Sequence, residues 1–155
     1  MSVEHFLDTN VFVYLFDETN DYKRGRAVRL VQESLANETG CISYQVVQET
    51  INVITRKLKA TPERARQILE DTLIPLWRVN PTRTLYQRGL DLQTRYRFSF
   101  YDSLIVAAAL EAGCHTLCSE DLKHGQQIEG LTITNPFKNT SSAIGKNGRK
   151  RRPRV

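Results

Sequence analysis

The sequence predicts an α/β domain built on a short, mainly parallel sheet. Short apolar stretches alternate along the chain with longer amphipathic ones, the pattern of strands joined by helices. The boundaries carry matching chemistry, with Thr61-Pro62 and Ser99 where helices should start and Gly113 where one should end. Two acids, Asp8 and Asp121, fall at or just past strand ends, the edge where such sheets bind ligands.

In order, Val3–Leu7 reads as a buried strand ended by Asp8-Thr9-Asn10. The apolar run Val11–Phe16 follows, and its period alone does not separate strand from helix. Asp21–Ala36 has apolar residues at 27, 28, 31 and 35 among charges, which makes an amphipathic helix broken at Gly40. Cys41–Ser43 is a short strand. Tyr44 to about Lys59 carries Val47, Ile51, Ile54 and Leu58 at helical spacing. The helix opened by Thr61-Pro62-Glu63 should stop at Pro75. Trp77–Val79 suits a strand and Thr82–Tyr96 a helix. Ser103–Ala112 is an Ala-rich helix, then Thr116–Ser119 and Leu131–Thr134 are strands before Asn135-Pro136-Phe137.

The chain has 155 residues, enough for one domain with its own core. Its net charge of +5 is uneven: residues 139–155 hold six Lys and Arg and no acid, which leaves −1 for residues 1–138. We therefore expect a folded domain over 1–138 and a basic, disordered tail over 139–155. The segment GRKRRPR has the charge to track a phosphate backbone; a solubilising extension explains it equally well. No apolar run is long enough to span a bilayer, and the N-terminus lacks the pattern of a signal peptide. Cys41, Cys114 and Cys118 are too few and too scattered for a disulfide framework. Cys114-His115-x-x-Cys118 lacks the second ligand pair of a zinc site. These features favour the cytoplasm.

Four acids in four segments carry the chemistry. Asp8, Glu49, Asp102 and Asp121 each have an ordinary structural role open to them. Asp8 is a good N-cap, and Glu49 at the edge of an apolar stripe usually points to solvent. Ser99-x-x-Asp102 fits a capping box, and Ser119-Glu120-Asp121 fits a turn. Jointly they differ, because in this topology all four face one sheet edge. Converging carboxylates among apolar residues need a partner, and hard divalent cations such as Mg²⁺ or Mn²⁺ prefer such oxygen ligands.

Asp8-Thr9-Asn10 after a first strand, Glu49 on a helix, Tyr101-Asp102-Ser103 before an Ala-rich helix and Ser119-x-Asp121 after a strand together resemble the PIN-domain ribonucleases. The resemblance runs from about Val3 to Phe137. It is closest to VapC-type toxins of prokaryotic toxin–antitoxin pairs. It implies a three-layer α/β/α sandwich and Mg²⁺- or Mn²⁺-dependent endonucleolytic cleavage of RNA. It also implies a small protein antitoxin that inserts a segment near the active site, and a homodimer. By motif, Asp8, Glu49, Asp102 and Asp121 become the catalytic, metal-holding quartet, with Asn10 and Ser119 as polar supports. The basic tail is not part of the family core.

Positive charge to hold RNA is offered by Arg95, Arg97, Lys57, Lys59 and the tail, although charged helix positions are usually just solvated. Two other functions fit the same residues. One is a PIN nuclease in RNA maturation without an antitoxin. The other is a non-catalytic RNA- or protein-binding module.

Overall fold

The structure is a computed structural model and describes residues 2–138. The basic tail at 139–155 lies outside the described residues. The chain alternates as expected: β1 (His5–Leu7), α1 (Thr9–Phe16), α2 (Asp21–Ala36), β2 (Gly40–Ser43), α3 (Tyr44–Arg56), α4 (Pro62–Ile68), a π-helical turn (Leu69–Leu73), α5 (Ile74–Leu76), β3 (Trp77–Val79), α6 (Arg83–Tyr96), α7 (Phe100–Glu111), β4 (Thr116–Cys118), β5 (Gln127–Ile128) and β6 (Leu131–Thr134). The strand order is β3-β2-β1-β4-β6-β5. All pairs are parallel except the terminal β5–β6 hairpin.

This order explains the layers. From β1 the chain moves one way along the sheet, to β2 and then β3. It then crosses back over to β4 on the other side of β1. Right-handed crossovers in opposite directions lie on opposite faces of the sheet. Helices α1–α5 therefore cover one face and α6–α7 the other, giving the α/β/α sandwich. The same reversal makes the crevice between β1 and β4 the topological switch point, where open α/β sheets bind ligands.

The strands are buried because both faces are covered. Phe6, Leu7, Ile42, Leu117, Leu131 and Ile133 have no exposed surface. Helix α7 is apolar on every side, and Ser103 through Ala109 are all buried, as befits a helix enclosed by its neighbours. Gly89 lets α6 lie close on α7: a Cβ there would stand 2.7 Å from Leu104 Cδ2.

Four local readings change. Val11–Phe16 is helical, resolving what period left open. Gly40 does not merely break α2; it begins β2, where a Cβ would meet Ser34 Cβ at 2.5 Å. Pro75 does not stop its helix, because the π-helical turn precedes it and the proline sits in the first turn of α5. The run continues through the π-helical turn, where Ile74 N donates to Leu69 O, five residues back, and the wider turn accommodates the proline that follows. Strand β5 was not anticipated. It is joined to β6 by Glu129-Gly130, both at positive φ, a connection that fits a tight hairpin. The helical run 62–76 turns Ala65, Ile68, Leu73 and Leu76 inward and leaves Ile74 and Trp77 partly exposed.

Candidate active site

The site is built at the carboxyl ends of β1 and β4. Asp8 follows β1 directly, in an extended conformation that starts α1, and its Oδ1 accepts from Thr9 N at 2.7 Å. Asp8 N donates to Cys118 O at 3.0 Å, so the two strand ends are locked together. Ser119, fully buried at the end of β4, donates its hydroxyl to Asp8 Oδ2 at 2.7 Å. The Ser119 hydroxyl also accepts from Asp121 N at 3.2 Å, which holds the loop carrying Asp121 over the crevice.

Residues of α1 and α3 bring in the rest. Asn10 Nδ2 donates to Asp121 Oδ2 at 3.2 Å. Thr9 Oγ1 donates to Glu49 Oε2 at 3.1 Å, tying α1 to α3. Gln45 Nε2, one turn before Glu49, donates to Glu49 Oε1 at 2.6 Å and to Tyr101 O at 3.2 Å. Thus Asp8, Glu49 and Asp121 belong to one hydrogen-bonded network. Asp102 stands apart from it. It lies in the first turn of α7, capped through its backbone by Ser99 Oγ at 3.2 Å, and its carboxylate makes no hydrogen bond among the described residues.

Electrostatics mark Asp8. It is 5% exposed. Burial pushes its carboxyl up from 3.8 to about 7; hydrogen bonds from Ser119 and Thr9 oppose this, and the charges of Asp121 and Glu49 add to it. Close by, Asn10 Oδ1 is buried without a hydrogen-bond partner. This corner therefore holds carboxylate and amide oxygens that make no ion pair among the described residues. An all-oxygen set of this kind suits a hard divalent cation rather than a thiophilic one. Among the described residues, no three carboxylate, imidazole or thiolate groups are gathered into one ligand sphere. The three cysteines are buried and unpaired, and burial pushes the Cys118 thiol up to about 12.

Two open clefts meet at Glu49. One, of about 580 Å³, runs between α1 and α3 and is lined by Asn10, Tyr14, Glu49, Val53, Lys57 and Asp121 among others. The other, of about 440 Å³, is lined by Gln48, Glu49, Asn52 and Tyr101. Glu49 belongs to both.

Thr9 and Gln45 hold Glu49. Thr9 stands in the Asp8-Thr9-Asn10 motif without a role of its own there, and Gln45 escaped the sequence reading. Gln45 and Glu49 are four apart on a helix, which is the one available signal. Glu120 does not compete for the site: it pairs with Lys23, whose ammonium also reaches the Tyr14 hydroxyl at 3.0 Å. Among the basic residues expected to meet RNA, Lys57 lines the larger cleft and Lys59 is exposed. Exposed Arg97 caps α6 in the left-handed conformation, and exposed Arg95 lies over Tyr96.

A parallel sheet with acids at its switch point is what the PIN-domain pattern required. The family model for the PIN domain matches residues 5–126, and the chain belongs to that family. Its fold is similar to that of VapC20 from Mycobacterium tuberculosis, described as a toxin that cleaves the sarcin–ricin loop. The two are 20% identical, with 74% of this chain and 87% of that one covered and a TM-score of 0.56. It is also similar to DNA-bound VapBC from Salmonella typhimurium (19% identical, 86% and 98% covered, TM-score 0.62). A third likeness is to VapBC2 from Rickettsia felis, bound to a fragment of its promoter (21% identical, 86% and 98% covered, TM-score 0.61). No curated protein matches the sequence significantly.

Proposed function

We propose that this PIN domain is a divalent-cation-dependent RNA endonuclease and the toxin of a toxin–antitoxin pair. The observation that carries the reading is Asp8, buried at the switch point with a carboxyl raised to about 7 and with Glu49 and Asp121 close enough to raise it further. Carboxyls shifted this far by burial and neighbouring charge cluster at functional sites. Asp8, Glu49 and Asp121, with Asp102 at the start of α7, would hold Mg²⁺ or Mn²⁺. When bound, the cation would supply charge relief to the scissile phosphate and a lowered pKa to the attacking water.

The chain's own residues do the rest. Ser119 and Thr9 fix Asp8, so its oxygens do not turn away when the carboxyl ionises. Glu49, held by Thr9 and Gln45, faces the cleft and orients water for in-line attack on phosphorus. The new P–O bond forms as the bond to the leaving oxygen breaks; the attacking water gives up one proton to solvent, and the leaving oxygen takes one up from it. Lys57 on the cleft wall offers a counter-charge to the backbone of the strand. The similar VapBC structures, in which a VapC is solved with its partner, support a small protein antitoxin here. A homodimer, a folded body over 1–138 and a separate basic tail complete the proposal. A monomer in sedimentation at micromolar concentration would remove the dimer.

The test is cleavage of a structured RNA with Mg²⁺ or Mn²⁺ and with EDTA, beside Asp8→Ala and Asp102→Ala. Metal-dependent cutting abolished by both substitutions supports the nuclease. Cutting that survives both sinks the quartet. An adjacent upstream gene for a small protein, half DNA-binding and half disordered, would support the toxin over an RNA-maturation enzyme.

A further inference from the structure

The cleft beside the acids has the chemistry of a base rather than of a phosphate. It is lined by Gln48, Glu49, Asn52 and Tyr101, with no Lys or Arg among them. With no basic side chain on its wall, this cleft offers a phosphate no counter-charge from the protein. An uncharged aromatic face with amide neighbours accepts a nucleobase. Tyr101 is 66% exposed, the most exposed large hydrophobic residue described. Its neighbour Phe100 meets it edge-on, with ring centroids 5.5 Å apart. Its backbone is held, because Gln45 Nε2 bonds both Tyr101 O and Glu49 Oε1. The backbone that carries the ring is therefore tied to Glu49 before anything binds.

Gln48 and Asn52 are four residues apart on α3 and share one face of it. Each carries an amide with both donor and acceptor, the group that pairs with two atoms of a base edge at once. Glu49 lies on the wall of this cleft and of the larger acid cleft. A strand with its scissile phosphate at the acids would deliver an adjoining base to Tyr101.

Resting on the ribonuclease reading above, we infer that Tyr101, Gln48 and Asn52 form a nucleobase subsite. Tyr101 stacks on a base splayed out of a single-stranded or looped RNA, and Gln48 and Asn52 read its edge. The subsite sets which sequence is cut, while the acids set that cutting occurs.

The test uses the full chain and single-stranded RNA oligonucleotides carrying 2-aminopurine, whose fluorescence falls on stacking. With Asp8→Asn added to prevent cleavage, the protein should quench the probe. Tyr101→Phe should keep the quench. Tyr101→Ala should lose it and weaken binding about 5- to 100-fold, the range for removing one stacking aromatic. In the otherwise unaltered enzyme, Gln48→Ala and Asn52→Ala should change which members of a randomised RNA library are cut. Cleavage with unchanged site preference and unchanged quenching in Tyr101→Ala would overturn the subsite and leave the nuclease standing. If Tyr101→Ala instead converts a dimer to a monomer without altering cut-site choice, the patch is a contact between copies and the inference fails. If the wild type neither cuts nor binds RNA, the ribonuclease reading fails and takes the subsite with it.

Discussion

The acids at the two ends of the proposed site are built differently. At the β1–β4 end, Asp8 is buried, bonded by Ser119 and Thr9, and linked through α1 to Glu49 and Asp121. At the α7 end, Asp102 is half-buried at a helix start, and its carboxylate has no hydrogen bond among the described residues. The first end fixes oxygens at an electrostatic cost. The second leaves an acid free to adjust beside the positive end of a helix dipole. Were both to serve the proposed site, it would have a rigid half at Asp8 and a more compliant half at Asp102.

If that contrast is real, Asp8 should dominate stability. Its folded-state pKa of about 7 lies above the ordinary 3.8. Below about 4 both folded and unfolded chains carry the proton, so Asp8 costs nothing. Between about 4 and 7 the unfolded chain ionises while the fold retains the proton, so stability falls as pH rises. Above about 7 the full cost is present. By linkage this amounts to roughly 4 kcal/mol as an upper figure. Urea unfolding in EDTA should therefore show Asp8→Asn more stable than wild type by about 1–4 kcal/mol at pH 8 and equal at pH 4. The same variant should lose at least about 100-fold in cleavage, the scale for removing one electrostatic group. Adding Mg²⁺ should flatten the pH dependence of the wild type, because a ligand that binds the folded anion stabilises it. A wild-type profile that is level in EDTA between pH 4 and 8 would break the comparison.

Ser119→Ala comes next in size. It removes the donor to Asp8 and the acceptor for Asp121 N at one stroke. The loss should be about 1–3 kcal/mol, the cost of leaving buried polar groups unpaired. Because that hydrogen bond lowers the Asp8 pKa, its removal should also move the upper end of the pH window higher. A stability loss without that shift would mean that Ser119 acts by packing alone.

The difference between the two ends also governs what could be read from the sequence. Of the proposed quartet, Asp8, Asp102 and Asp121 could be singled out as candidates because each follows a strand or opens a helix, and such signals are local; Glu49 came from the resemblance. The fold class was visible for the same reason: periodicity and caps act within a few residues. The network was not. Thr9 reaches Glu49 across 40 positions and Ser119 reaches Asp8 across 111, and no local pattern encodes a bond that exists only after the sheet forms. Strand β5 was missed because two residues carry no period, and Glu129-Gly130 is a weaker turn signal than Asn-Gly. Pro75 misled because the π-helical turn before it is a tertiary accommodation without a sequence signature of its own.

Asp102→Asn is the smallest change in stability and separates the two ends most cleanly. The carboxylate it removes makes no hydrogen bond among the described residues, and its backbone cap from Ser99 would stay. Urea unfolding in EDTA should shift by less than about 1 kcal/mol, the scale of a carboxylate's interaction with a helix start. If Asp102 closes the site on a cation, the stabilisation that Mg²⁺ gives the wild type should nevertheless shrink. Cleavage should also fall, with the cut sites unchanged. A variant that keeps both the Mg²⁺ stabilisation and the cleavage of the wild type would remove Asp102 from the quartet. The site would then lie wholly at the β1–β4 end, where Asp8, Glu49 and Asp121 already share a network.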